Sequence, residues 1–143
     1  MLDRAAVAQV AIHPGLFTLP DDPRGPHLLA SHCAACGRHQ FPAAATCPFC
    51  CCDRCDVVAV GAKGRLYLHT VVTTAPPGYL GPVPYGFGVV ELTEGLRVVS
   101  RLTADPLDRL RSDLAMRLEI APLHRDASGD DVLSFAYAPD ESR

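Results

Sequence analysis

Residues 33–55, CAACGRHQFPAAATCPFCCCDRC, hold all seven cysteines of a 143-residue chain. Cys33-x2-Cys36 and Cys47-x2-Cys50 form two pairs with ten residues between them. A CxxC turn can bring two sulfurs onto one ion while its amides donate to the thiolates, and two such turns complete a tetrahedral zinc site. The residue after the second cysteine of each turn needs a positive φ, where glycine is cheapest. Gly37 stands there in the first turn and Cys51 in the second, which Pro48 stiffens. A second ligand set is open, because Cys52-x2-Cys55 can replace the later pair at fifteen residues from Cys36. The nearer pair is preferred for its proline and its spacing. Cys51, Cys52 and Cys55 are then spare thiols. A redox role for Cys52 and Cys55 lacks the βαβ context of a thioredoxin-like motif. Four cysteine ligands leave no open coordination position, so the expected zinc is structural and not catalytic. His27, His32 and His39 read as surface histidines beside it.

Working outward, the composition is 48% apolar and 20% charged, as in globular chains. No run approaches the roughly 18 apolar residues of a membrane helix. The start, MLDRAAVAQVAIHPG, lacks the basic region and apolar run of a secretory signal. The expected location is therefore the cytoplasm, where clustered cysteines signal metal more often than disulfides. An odd cysteine count also leaves a pure disulfide framework with one thiol over. The net charge is −3 and Lys63 is the single lysine. That argues against a chain whose affinity comes from a phosphate backbone.

Three segments follow from the pattern. Residues 1–27 read as a short helix, LDRAAVAQVA, and a Pro- and Gly-rich arm of the kind a partner orders. Residues 28–60 read as a rubredoxin-like zinc ribbon. Residues 61–143 read as strands: 64–74, 85–92, 96–102, 114–123 and 131–139. In the first, Leu66, Leu68, Thr70 and Val72 are assigned one face; in the fourth, Leu114, Met116, Leu118 and Ile120 point inward. TEG at 93–95 makes the second and third strands a hairpin. Residues 103–110 read as a short helix or turn with Asp105 as N-cap and Pro106 first. Five strands interrupted between the third and fourth are the order of an OB-fold barrel. The expected fold is mostly β: a helical arm, a zinc ribbon and a five-stranded OB barrel.

CAACGRHQFPAAATCPFC (33–50), GAKGRLYLHTVV (61–72), PYGFGVVELTEGLRVVSRL (84–102), MRLEI (116–120) and LSFAYAP (133–139) together resemble the zinc-ribbon/OB-fold acyl-CoA-associated proteins, a family long catalogued as a domain of unknown function. The resemblance runs from Leu28 to Pro139. Two departures stand out: the cysteines after Cys50, and RSDLAMRLEI (111–120), which has no glycine where the family starts its fourth strand. The resemblance implies a small accessory subunit bound to a thiolase-superfamily enzyme, an aldolase or a hydroxymethylglutaryl-CoA synthase assembly, and a two-plus-two heterotetramer where that enzyme is a dimer. It implies a structural zinc and a CoA thioester bound jointly with the partner. The setting is C–C cleavage by thiolysis or retro-aldol reaction, as in β-oxidation-type degradation of aromatic succinyl-CoA adducts or steroid side chains.

No G-x-S-x-G elbow or phosphate-binding glycine loop occurs. His69 and His124 are isolated, and Glu91 and Glu94 flank a turn. No independent activity is expected, and no catalytic residue is assigned. Loop 75–85, with four prolines, is the expected partner or pantetheine contact. Tyr79, Tyr85, Arg97 and Arg101 are the candidate CoA contacts. The alternative function is single-stranded nucleic-acid binding, with Tyr67, Phe87, Phe135 and Tyr137 as stacking platforms and Arg97, Arg101 and Arg117 as cations. The segment from residue 61 onward carries more acidic than basic residues, which disfavours it.

Overall fold

A computed structural model describes residues 8–140. In chain order the strands are β1 (Gln9–Ala11), β2 (Leu28–Cys33), β3 (His39–Gln40), β4 (Cys55–Val60), β5 (Lys63–Val72), β6 (Tyr85–Leu92), β7 (Arg97–Leu102), β8 (Ala115–Arg125) and β9 (Asp131–Pro139). No α-helix occurs among the described residues. β5, β6, β7, β9 and β8 pair in that order, and β8 returns to β5, closing the barrel. Only β7 and β9 run parallel within it. Closure follows from alternation: Leu66, Val90, Val98, Leu102, Met116, Leu118, Leu133 and Tyr137 all turn into one core. β2, β3 and β4 form a separate three-stranded sheet, the ribbon.

The ribbon sits on the barrel through shared apolar packing. Leu28, Ala30 and Val60 at its base join the barrel's core, as does Phe17 of the arm. The Phe135 ring of β9 meets Phe17 and Phe41 edge-on, at 6.2 and 5.8 Å. Gly61 makes the joint. Its N–H donates to Glu94 (3.2 Å) and its carbonyl accepts from the buried Tyr137 hydroxyl (2.7 Å). Its φ is 80°, and a Cβ there would stand 2.7 Å from the Tyr137 oxygen. Glycine is therefore required twice over, by dihedral and by space.

Several expectations need correction. The N-terminal helix is not observed: residues 9–11 form β1, parallel to β9, while residues 1–7 lie outside the described residues. A strand forms because β9 offers an open ladder edge, and tertiary pairing overrides a weak helical propensity. Nor does the rest of the arm need a partner to hold it. Thr18 N–H donates to His27 O (3.0 Å), Leu29 N–H to Leu16 O (2.8 Å), and Phe17 bridges Leu28. Between β7 and β8 the chain makes one 3-10 turn, Leu107–Arg109, whose N-cap is Pro106 and not Asp105; no side chain caps it.

The assigned face of β5 is also wrong beyond Leu66. Leu66 lies opposite Val90, but Leu68 lies opposite Val89. Tyr67 is an extra residue in the ladder, a bulge, and a one-residue slip reverses every later side chain. Leu66 is buried while Leu68 is 57% exposed. At the start of β8, Asp113 takes φ 68°. The missing glycine is thus replaced by a residue whose short polar side chain tolerates the left-handed region.

Candidate metal centre and the outer face of the barrel

β2 ends at Cys33, so a strand aims the first thiol. The amides of Ala35 and Cys36 both donate to its Sγ at 3.4 Å, and Gly37 N–H closes the turn on Cys33 O at 3.0 Å with φ 78°. The second turn repeats this geometry. Phe49 N–H donates to Cys47 Sγ at 3.4 Å, and Cys51 N–H closes on Cys47 O at 2.9 Å with φ 66°. Both turns need the left-handed residue that the spacing anticipated; one supplies glycine, the other cysteine.

The two turns face each other. Cys33 and Cys50 sulfurs stand 3.5 Å apart, Cys36 and Cys47 sulfurs 3.6 Å, and all four lie within 4.8 Å. Zn–S bonds of about 2.3 Å in a regular tetrahedron put sulfurs about 3.8 Å apart. The donor set and its size therefore fit a zinc ion with no remaining position. Cys33 and Cys47 are buried, Cys36 and Cys50 exposed. Hydrogen bonding, first from the Cys36 amide, lowers the Cys33 thiol to about 6, so a thiolate forms readily there. Cys52 and Cys55 make a third turn, with Arg54 N–H on Cys52 Sγ at 3.4 Å, and Cys55 pairs with Cys33 across the sheet. Neither belongs to the converged group. His32 and His39 lie against one another outside it, ring centres 4.9 Å apart and planes tilted by 51°.

The outer face of β5, β6 and β7 forms three rows in register. Arg65, Glu91 and Arg97 make one; Leu68, Val89 and Val99 the next; Thr70, Phe87 and Arg101 the third. The first row is ionic: Arg97 pairs with Glu91 at 3.4 Å and lies over the Tyr67 ring at 4.0 Å. The middle row is apolar and open to solvent, with Val99 58% exposed. The third row meets loop 75–84. Tyr85 packs on Tyr79 (4.6 Å) and on Phe87 (6.4 Å), and Arg101 lies 5.7 Å over Tyr85. Arg101 has no ionic partner among the described residues, and its Nε is buried with no acceptor.

Of the four candidate CoA contacts, the structure brings Tyr79, Tyr85 and Arg101 into one corner and leaves Arg97 two rows away on Glu91 and Tyr67. Of the four candidate stacking aromatics, Tyr137 is fully buried, Phe135 serves the ribbon junction, and Tyr67 and Phe87 reach solvent. The exposure of Leu68 escapes strict alternation because the bulge at Tyr67 has no signature in the sequence, whereas that of Val99 follows the regular alternation of β7. Phe49, at the tip of the second turn with the Arg38 guanidinium 4.7 Å from its ring centre, is a further exposed aromatic. Nothing but its place inside a CxxC turn could have flagged it.

A knuckled ribbon with four converged cysteines, set on a five-stranded OB barrel, defines a zinc-ribbon/OB-fold protein. Residues 21–50 match the family described as "ChsH2, rubredoxin-like zinc ribbon domain", and residues 57–121 match "ChsH2, C-terminal OB-fold domain". The benzoylsuccinyl-CoA thiolase subunit BbsA of Thauera aromatica is 30% identical over 125 residues, which are 87% of this chain and 85% of that one. A DUF35 domain-containing scaffold protein of Methanocaldococcus jannaschii is 27% identical over 114 residues, 77% of this chain and 78% of that one. The solved structure of an Ltp2-ChsH2(DUF35) aldolase superposes with a TM-score of 0.63 at 26% identity, over 79% of this chain and 84% of that chain. The chain belongs to the ChsH2-type zinc-ribbon/OB-fold (DUF35) family. Among the described residues no helix is long and apolar enough to cross a membrane.

Proposed function

We propose that this chain is a non-catalytic accessory subunit that docks on a thiolase-superfamily enzyme or a related aldolase and supports its chemistry on CoA thioesters. The observation that carries the reading is the likeness, over nearly the whole chain, to a protein named as a thiolase subunit, together with the superposition on a chain from an aldolase complex. The reactive groups would come from the partner. Residues 28–60 would serve as the ribbon, with Cys33, Cys36, Cys47 and Cys50 holding a structural zinc. The zinc would supply cross-linking and no Lewis-acid step, since four thiolates fill its coordination. Residues 61–143 would present the barrel to the enzyme. Tyr79 and Tyr85, where loop 75–84 meets the barrel, would border the path of the CoA thioester. Arg97 stays with Glu91 and Tyr67, while Arg101 is free to meet an anion. A two-plus-two assembly follows if the enzyme is dimeric.

The test is gentle purification of the tagged full chain from its native host, with identification and stoichiometry of what accompanies it. A thiolase-class or aldolase subunit at about one to one is the expected result. Recovery of the chain alone, or with nucleic acid, would overturn the reading.

A further inference from the structure

We infer that the outer face of β5–β6–β7 is the surface the enzyme grips, and that it receives an extended enzyme segment carrying an apolar side chain and, two residues along, a carboxylate. The inference rests on the accessory-subunit reading and adds the surface and the chemistry of its occupant. Three observations carry it.

The apolar middle row is exposed without cover: Leu68 is 57% and Val99 58% accessible, and Val89 lies between them in register. Contiguous exposed apolar groups of this kind mark interaction surfaces. The register rows give the face a directional charge pattern. In the row on one side of the apolar strip both cations have ionic partners, Arg97 with Glu91 and Arg65 with Asp113. The row on the other side ends in Arg101, whose charge nothing among the described residues matches and whose Nε is buried without an acceptor. An unmatched, half-buried guanidinium is costly alone and becomes favourable when a carboxylate meets its planar fork. The complementary occupant therefore has its apolar group over Leu68–Val89–Val99 and its acid over Arg101. Adjacent rows are two residues apart along a strand, about 7 Å, which matches residues i and i+2 of an extended segment. Mixed signs in the first row, and Glu91 in particular, make the same face a poor match for a nucleic-acid backbone.

The test uses the full chain and the enzyme that co-purifies with it stoichiometrically. Phenylglyoxal modification, read by mass spectrometry, is compared for the free chain, the complex without CoA, and the complex with acetyl-CoA. Arg101 is expected to react in the free chain and to be protected in the complex without CoA. Modification at the free-chain rate in the complex would overturn the inference. So would protection that needs CoA, which would assign the anion to a phosphate, or protection of the free chain by oligothymidylate, which would assign the face to nucleic acid. Arg101→Glu and Val99→Glu are each expected to weaken the complex at least about 30-fold, with zinc content and melting temperature retained. Arg125→Gln, outside the face, is the control. An enzyme retained at full affinity by both variants sinks this inference and leaves the accessory reading standing. If no thiolase-class or aldolase subunit accompanies the wild-type chain, both fall.

Discussion

The ribbon and the barrel are both small β structures, yet they are held by different forces. Barrel strands of six to eleven residues close on themselves and fill their interior with side chains such as Leu66, Leu102, Met116 and Tyr137. The ribbon's β3 has two residues, and its buried apolar side chains, Leu28, Ala30 and Val60, lie at the end that leans on the barrel. Its far end has only the four converged sulfurs and the two turns that aim them. Burial of apolar area can stabilise the first; a short sheet with one covered end needs a cross-link.

The largest effect should come from metal removal. Structural zinc in small cysteine sites is worth about 10–16 kcal/mol of apparent binding energy near pH 7. Chelation, or Cys33→Ser, should unfold residues 33–55 while the barrel keeps its strands. Hydrogen exchange read segment by segment checks this, and uniform loss of protection would show that the ribbon and barrel are not separable. Acidification works in the same direction, since the ligands bind as thiolates and zinc is released as they protonate.

A core truncation is the converse. Met116→Ala, at a fully buried barrel position, should cost about 2–5 kcal/mol in denaturant unfolding. The zinc content measured on folded protein should stay the same. Zinc loss in that variant would mean that the barrel props up the metal site.

The joint between the two regions gives a smaller effect. Tyr137→Phe leaves the Gly61 carbonyl without its donor, a loss of about 1–3 kcal/mol. Burial, with a further push from Glu94, raises the Tyr137 hydroxyl above its usual range. The folded state thus favours the neutral phenol. Its stabilisation is complete below the unfolded tyrosine's pKa of about 10 and is lost as pH rises beyond it. Stability measured from pH 8 to 11 should therefore fall less in Tyr137→Phe than in the wild type.

The smallest expected effects are gains. Cys51 and Asp113 hold φ of 66° and 68°, values that Gly37 reaches without a Cβ. Cys51→Gly and Asp113→Gly should each be neutral or stabilising by up to about 1 kcal/mol in thermal melts. A clear loss at Cys51 would show that its thiol contributes more than backbone shape.

These residues also show how much the sequence reveals. Cysteine spacing located the two turns, and even the left-handed positions after them, because chelate geometry is local and leaves a fixed count between ligands. Barrel strands were legible from alternation, and the hairpin at residues 93–95 from its glycine. The bulge at Tyr67 was not, since one extra residue costs no recognisable motif and is decided by which neighbour the strand meets. Nor was β1, a three-residue strand that exists only because β9 has a free edge. The Tyr79–Tyr85–Arg101 corner joins a loop and two strands, so no linear pattern unites it. Arg97 and Arg101 read alike as candidate contacts, but Glu91 across the ladder pairs with Arg97, whereas Arg101 lies over the Tyr85 ring with no ionic partner among the described residues.

The most direct test of the central claim is functional. The enzyme that accompanies the chain would be prepared alone and together with it, and each preparation, with the chain by itself, assayed for C–C cleavage of acyl-CoA substrates. The account predicts turnover by the pair, little or none by the enzyme alone, and none by the chain alone. Turnover by the isolated chain, or an enzyme equally active without it, would contradict the account.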